Sequence, residues 1–239
     1  MSLETVNFKY LNLAPGDTIL DIGCGEGRHT ISACLNERVH AIGLDLSLPD
    51  LDTARRRYNE FDVAEDSYRR ANFLAASGLK LPFADAYFDQ IICSEVLEHI
   101  HEYKTVLGEI RRVLKPGGLF AVSVPRFGPE WLCWRLSHAY HTVEGGHIRI
   151  FRIRELQQAI ESFSMVRYAK HWAHGLHAPY WWLRCLFWSK GDQIWPVRTY
   201  HRLLVWDLMQ QPRLTRWLEK VLNPLIGKSV VLYFVRDKT

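Results

Sequence analysis

Ten consecutive residues, Ile19-Leu20-Asp21-Ile22-Gly23-Cys24-Gly25-Glu26-Gly27-Arg28, hold the densest chemical signal in the chain. A short apolar run carrying one carboxylate breaks into glycines at three alternate positions. Without Cβ atoms the backbone can turn tightly, and a ligand can lie against bare N–H groups. A second carboxylate, Asp45, ends the next apolar run, 39–44. There it can accept both hydroxyls of a ribose, as in dinucleotide-binding folds. The two features together point to a nucleoside-containing cofactor. A third group is Glu95, Glu98 and His99, with His147 further on. On a helix, positions i, i+3 and i+4 share a face, so two carboxylates and an imidazole would converge. His29 follows the glycines directly and reads as a packing or hydrogen-bonding residue.

The elements that must position these residues follow from periodicity. Apolar runs at 19–22, 39–44, 71–75, 88–93 and 119–124 have the length and composition of strands. Helical patterns at 27–36, 50–60 and 100–114 separate several of them. A lead-in helix is expected over 3–13, a helix over 154–162, and strands over 164–168 and 229–235. Leu114-Lys115-Pro116-Gly117-Gly118 is a helix stop followed by a turn. Alternating strands and helices predict a doubly wound, mostly parallel α/β sheet with helices on both faces. The chain reads as one domain over 1–239, with an aromatic-rich helical insertion at 170–228 before the last strand.

Composition narrows the class. With 48% hydrophobic residues among 239, a sizeable core is available, and the net charge of +4 neither requires an acidic partner nor suggests a nucleic-acid tail. Five scattered cysteines without a CxxC pair argue for a reducing compartment. No signal peptide is evident, and no apolar run reaches the ~18 residues of a membrane span. The expected location is therefore cytoplasmic, with peripheral contact at a membrane as an option.

The order of motifs resembles the class I S-adenosylmethionine (SAM)-dependent methyltransferases, of the methyltransferase type 11 and ubiquinone-pathway O-methyltransferase kind. The matching features are the glycine loop, Asp45, Leu81-Pro82-Phe83 followed by Phe88-Asp89, and Ser94-Glu95-Val96-Leu97-Glu98-His99 followed by the Leu114–Gly118 turn. The resemblance implies a Rossmann-like seven-stranded sheet with its last strand antiparallel, and SAM as cofactor. It implies that Gly23, Cys24, Gly25 and Gly27 pass beside the methionine part, with Asp21 near its amino group. Asp45 would take the ribose, Leu46 would lie on the adenine, and Cys93 and Ser94 would line the methionine side. Where the family often has an acidic residue near the adenine amino group, this chain has Ser77, then Gly78 and Leu79.

Methyl transfer needs alignment in a water-poor pocket, and a base only where the acceptor must lose a proton. His99 and His147 are the candidates. No metal is expected. The alternative is a divalent-cation site at Glu95, Glu98 and His99, since related groups of methyltransferases hold a cation with Glu-x-x-Glu-His. The expected activity is methyl transfer to a small or medium apolar acceptor, lipid-like or aromatic, with oxygen favoured. A non-catalytic SAM-binding module and an RNA methyltransferase are the alternatives; the modest charge weighs against nucleic acid.

All nine tryptophans lie at or beyond position 131. For the segment 171–188 three roles stay open: the core of a helical cap, the wall of an acceptor pocket, or a membrane-facing surface. His171, His174 and His177 have a spacing that suits a metal face on a helix, but Gly175 and Pro179 interrupt such a helix. Oligomeric state does not follow from the sequence.

Overall fold

The apolar runs pair into one seven-stranded sheet in a computed structural model that describes residues 4–61, 69–143, 145–191 and 193–238. The strands are β1 (Thr18–Ile22), β2 (His40–Asp45), β3 (Arg70–Ala75), β4 (Phe88–Ser94), β5 (Leu114–Pro125), β6 (Met165–Ala173) and β7 (Ser229–Arg236). Their order is β3-β2-β1-β4-β5-β7-β6, and only β7 runs antiparallel to its neighbours. The sheet is covered on both faces, which is why β1, β4 and β7 read as almost continuous apolar runs. On one face α3 (Tyr103–Val113) and α6 (Ile153–Glu161) pack Val106, Ile110, Leu156 and Ile160. On the other, α1 (Arg28–Asn36) and the N-terminal segment pack Ile31, Cys34, Phe8 and Leu11, with Tyr58 from α2 (Leu48–Asn59).

The direction change between β1 and β4 sits at the carboxyl ends of the strands. In open α/β sheets a ligand crevice forms at that position. The glycine loop and Glu95 both lie there.

Several expected elements take a different form. In place of a helix over 3–13, whose first residue lies outside the described ones, only a 3-10 turn forms at Phe8–Tyr10. The Asn7 side chain accepts from the Lys9 N–H, and the Tyr233 hydroxyl accepts from the Asn7 N–H. The segment is thus held by β7 rather than by helical bonds of its own. Strand β6 runs on to Ala173, because Trp172 pairs with Val230 and Ala173 with Ser229. The helices α7 (His177–Leu186), α8 (Trp195–Gln210) and α9 (Arg213–Ile226) therefore begin only after it. Two helices escape the periodicity reading, α4 (Phe127–Leu136) and α5 (His138–Thr142). Aromatic and polar residues in α4 are spread around its circumference, so no apolar stripe marks it. All five cysteines are buried, and no disulfide joins them.

Candidate active site

The glycines after β1 serve different ends. Gly23 has φ +67°, and a Cβ there would lie 2.3 Å from a methyl of Val96, so the loop closes directly on the segment after β4. Gly25 has φ +51° and nothing within 4 Å of where its Cβ would stand. Its side faces open space, not protein. The Gly25 N–H donates to Asp45 Oδ2 at 2.8 Å, and the Ser47 N–H donates to Oδ1 at 2.9 Å. The carboxylate at the end of β2 is thereby fastened to the loop after β1. Leu46 beside it is 74% exposed, a bare apolar surface next to the carboxylate.

Above the loop lies a hollow of about 400 Å³, lined by Gly23, Cys24, Gly25, Arg28, Ser94 and Glu95, among others. Asp21 lies beneath it and is almost fully buried. Its Oδ2 accepts from the Thr30 N–H (3.0 Å) and hydroxyl (2.8 Å), while Oδ1 is buried and accepts nothing. Burial, opposed by the Thr30 bonds, pushes its pKa up to about 7.

Some expected cofactor contacts stand elsewhere. Cys93 is wholly buried in the core, its thiol pushed up by burial, so only Ser94 of that pair reaches the hollow. Ser77, Gly78 and Leu79 form a turn beside the end of β1, where a Cβ on Gly78 would lie 3.3 Å from Ile22, with the Leu79 N–H donating to the Ser77 hydroxyl at 3.2 Å. His29 sits on the wall of the hollow but accepts from the Thr5 and Val6 N–H groups, each at 3.3 Å. That role needs a neutral ring, and burial lowers its pKa to about 3.

The pinning of the N-terminal segment by His29 has a measurable pH signature. The unfolded imidazole binds a proton below its ordinary value near 6.5, whereas the folded one resists it down to about 3. Stability from this group is present above pH 6.5 and is lost as pH falls through the window down to about 3. The slope is about 1.4 kcal/mol per pH unit. A His29→Gln variant keeps an acceptor but does not titrate. Denaturant melts of the two proteins across pH 6.5 to 4 should diverge with this sign; parallel curves would contradict it. Asp21 acts oppositely over part of this range, and its contribution cancels in the comparison.

A second, larger cavity of about 550 Å³ adjoins the hollow and shares Arg28 and Glu95 with it. Its walls include Tyr140 of α5, Trp181 of α7, Trp188 and His147. Glu95 holds the junction in a strained left-handed conformation, φ +57°, with its Oε1 accepting from the Ser123 hydroxyl at 2.9 Å. Lys228, at the entry to β7, lies over the Trp181 ring at 4.8 Å.

His147 Nδ1 is 2.6 Å from Glu130 Oε1. Glu130 is about 1% exposed and also accepts from Trp134 Nε1 (3.1 Å) and the Tyr140 hydroxyl (3.2 Å). Burial alone would raise its pKa, but His147, Lys228 and Trp134 outweigh it, so the carboxyl is held below the usual range. A buried ionised carboxylate therefore orients the imidazole and leaves Nε2 as the ring nitrogen available to a ligand. His99, the other expected base, packs edge-on against His147 with ring centroids 4.9 Å apart and is itself more exposed. Burial, then His147, lowers its pKa.

The segment 95–99 is not an α-helix. Glu95 turns left-handed, and only Leu97–His99 forms one 3-10 turn. The face shared by Glu95, Glu98 and His99 does not form, because Glu95 bonds Ser123 instead. The group that does converge is Glu98, His99 and His147, with one ligand atom of each within 4.8 Å of the others. Glu98 is wholly buried with neither carboxylate oxygen hydrogen-bonded, and burial followed by Glu95 raises its pKa well above the carboxylate range. A second group, His174, His177 and Glu219, meets the same distance limit; it draws its acid from α9, not from a third histidine on one helix.

The sequence pointed to His147 but not to Glu130, Lys228 or Arg28. The available signal for Glu130 was a lone carboxylate in an aromatic stretch, Phe127-Gly128-Pro129-Glu130-Trp131. Buried acids in such surroundings require a partner. Of the roles open for the segment 171–188, core and cavity wall are both seen, while exposed tryptophans lie beyond it. Trp182 packs in the cap and donates to the Pro129 carbonyl (3.1 Å), Trp181 and Trp188 wall the cavity, and Trp195, Trp206 and Trp217 face outward.

A sheet of this order with a glycine loop, a carboxylate ending β2 and a cavity beside them defines a class I methyltransferase fold. Residues 20–122 match the family described as "Methyltransferase domain". Over this stretch the chain is similar to that family. Among its relatives, the 27-O-demethylrifamycin SV methyltransferase of Amycolatopsis mediterranei is 35% identical over 47% of this chain and 40% of its own length. The O-methyltransferase rstn1 of Aspergillus nomiae is 35% identical over 47% of this chain and 48% of its own length. The matched stretch spans less than half of these curated relatives. Over the whole chain the fold is similar to a SAM-dependent methyltransferase from Methanosarcina mazei, with TM-score 0.65 and 14% identity over 99% of this chain and 100% of that one. It is also similar to a geranyl diphosphate methyltransferase in complex with GPP and sinefungin, with TM-score 0.63 and 16% identity over 96% and 76% of the two chains. Among the described residues, no helix is long and apolar enough to cross a membrane.

Proposed function

We propose that the chain transfers the methyl group of SAM to an oxygen of a small or medium-sized apolar acceptor, aromatic or lipid-like. The observation that carries this reading is His147, held by buried Glu130, on the wall of a cavity that shares Arg28 and Glu95 with the glycine-loop hollow.

The residues of the hollow fit SAM. Gly25 has open space where a side chain would stand, Asp21 Oδ1 is a buried acceptor without a donor, and Asp45 ends β2 beside exposed Leu46. The glycine-loop backbone and Asp21 would hold the methionine part and Asp45 the ribose. Bound there, SAM supplies an electrophilic methyl group on a sulfonium. On the acceptor side, Trp181, Trp188 and Tyr140 exclude water and orient a flat or apolar molecule. His147 Nε2 takes the proton of the acceptor hydroxyl, and the Glu130 carboxylate stabilises the imidazolium that results. An amine acceptor arriving as a free base would not need this pair, which is why oxygen is favoured. O-methyltransferases among the relatives support the same choice.

The test is label transfer. Radiolabelled SAM is incubated with the pure chain and with organic extracts and hydroxylated aromatic compounds. Label in an organic-phase product is expected. SAM binding with no labelled product in any fraction would overturn the reading and favour a non-catalytic module.

The convergence of Glu98, His99 and His147 favours a second reading, in which a divalent cation bound by these residues lowers the pKa of the acceptor hydroxyl. Full turnover in excess chelator would eliminate it.

A further inference from the structure

The insertion carries apolar surface that its own packing leaves unused. The helices α8 and α9 bury one side against α7, through Val197 and Leu204 on α8, and Leu218 and Leu222 on α9, around Leu176 and Tyr180. The opposite side of α8 presents Trp195 (69% exposed), Trp206 and Met209 (70%). With Arg198 and Arg202 these residues fall at i, i+3, i+7, i+11 and i+14, a single helix face. On α9, Leu214 (64% exposed), Trp217, Val221 and Leu225 (66%) fall at i, i+3, i+7 and i+11. Thus α8 shows a second apolar stripe opposite the one that makes the core, and on α9 the apolar stripe extends past Leu218 and Leu222 onto exposed surface.

Charge is sorted in the same way. The basic residues Arg198, Arg202, Arg213 and Lys220 are exposed. The only carboxylates in 193–226 are Asp207 and Glu219. Both are half-buried and line an inner cavity with His174 and Asn223. The outer side therefore combines Trp, Met and Leu with Arg and Lys and carries no acid among its described residues. Such a face matches one surrounding in particular. Indole rings settle at headgroup depth, aliphatic side chains reach the acyl boundary, and guanidinium and ammonium groups meet lipid phosphates.

We propose that the outer face of the α8–α9 pair docks this protein on an anionic lipid bilayer. The binding is peripheral, since neither helix spans a membrane. It does not depend on the methyl-transfer reading and is tested without turnover.

The test uses the full chain and vesicles of phosphatidylcholine with or without phosphatidylglycerol. Co-sedimentation with the anionic vesicles is expected, with a blue shift of tryptophan emission and weakening at high salt. The triple variant Trp206→Glu, Met209→Glu, Trp217→Glu alters only exposed side chains, and should lose about tenfold or more of the partitioning. An unchanged melting temperature confirms that it folds. Should that variant melt early, the charge variant Arg198→Glu, Arg202→Glu, which leaves the apolar face intact, is expected to show a comparable loss on anionic vesicles. The proposal is overturned by absence of wild-type binding to anionic vesicles, or by binding that survives in the folded variants. It is also overturned by a wild-type dimer in analytical ultracentrifugation that the triple variant abolishes while vesicles bind neither protein; that face would then belong to a second copy.

Discussion

His147→Ala is expected to lower kcat by roughly 10²- to 10⁴-fold, the usual worth of a positioned general base, with SAM affinity unchanged. The separation follows from placement. His147 lines the aromatic cavity, whereas the glycine-loop hollow is walled by other residues and meets that cavity at Arg28 and Glu95. Glu130 acts through His147 and is a positioning residue, so its signature differs. Glu130→Gln keeps an acceptor for the imidazole N–H but removes the charge that stabilises the imidazolium. A smaller fall in kcat, about tenfold or more, should come with little change in KM. A purely structural Glu130 would lower stability without that selective loss of kcat. Isothermal titration with SAM and steady-state kinetics on both variants check the two statements. A His147→Ala enzyme with full turnover would remove the base from the mechanism.

The fold was readable because sheet strands buried on both faces read as short, nearly continuous apolar runs and the helices between them each bury one stripe of period 3.6, up to β5. The glycine loop and Asp45 were readable for a different reason. Their residue types are dictated by backbone geometry, and Gly25 and Asp45 are joined by one hydrogen bond at 2.8 Å. The acceptor side was harder to read. Glu130 and His147 lie 17 residues apart on a helix and on a loop, and nothing local in the sequence requires them to meet. The 95–99 segment shows the opposite failure. Its spacing suits a helix, but the hydrogen bond from Ser123 to Glu95 and the packing of Val96 against Gly23 hold Glu95 in a left-handed conformation that no helix contains. Periodicity also cannot distinguish a tryptophan walling a cavity from one facing out, since both fall on apolar stripes; Trp181 and Trp206 are such a pair.

Two alanine substitutions in the glycine loop separate folding from cofactor binding. At both positions the backbone is left-handed, so alanine costs about 1–2 kcal/mol from conformation alone. Gly23→Ala adds a collision, since the new methyl would stand 2.3 Å from Val96 Cγ2 within a packed core contact. The loop or the segment after β4 must then move, and overpacking of this kind costs about 1–3 kcal/mol more. Gly25→Ala meets no protein atom within 4 Å, and its methyl would enter the space assigned to the methionine part of SAM. The expected results are therefore opposite in emphasis. Gly23→Ala should lower the melting temperature by many degrees. Gly25→Ala should melt close to the wild type yet bind SAM at least tenfold more weakly, about 1.4 kcal/mol or more. Thermal melts with and without SAM, together with calorimetric titration, give both quantities. Unimpaired SAM binding by folded Gly25→Ala would move the cofactor away from this loop, because that methyl would stand in the space assigned to it.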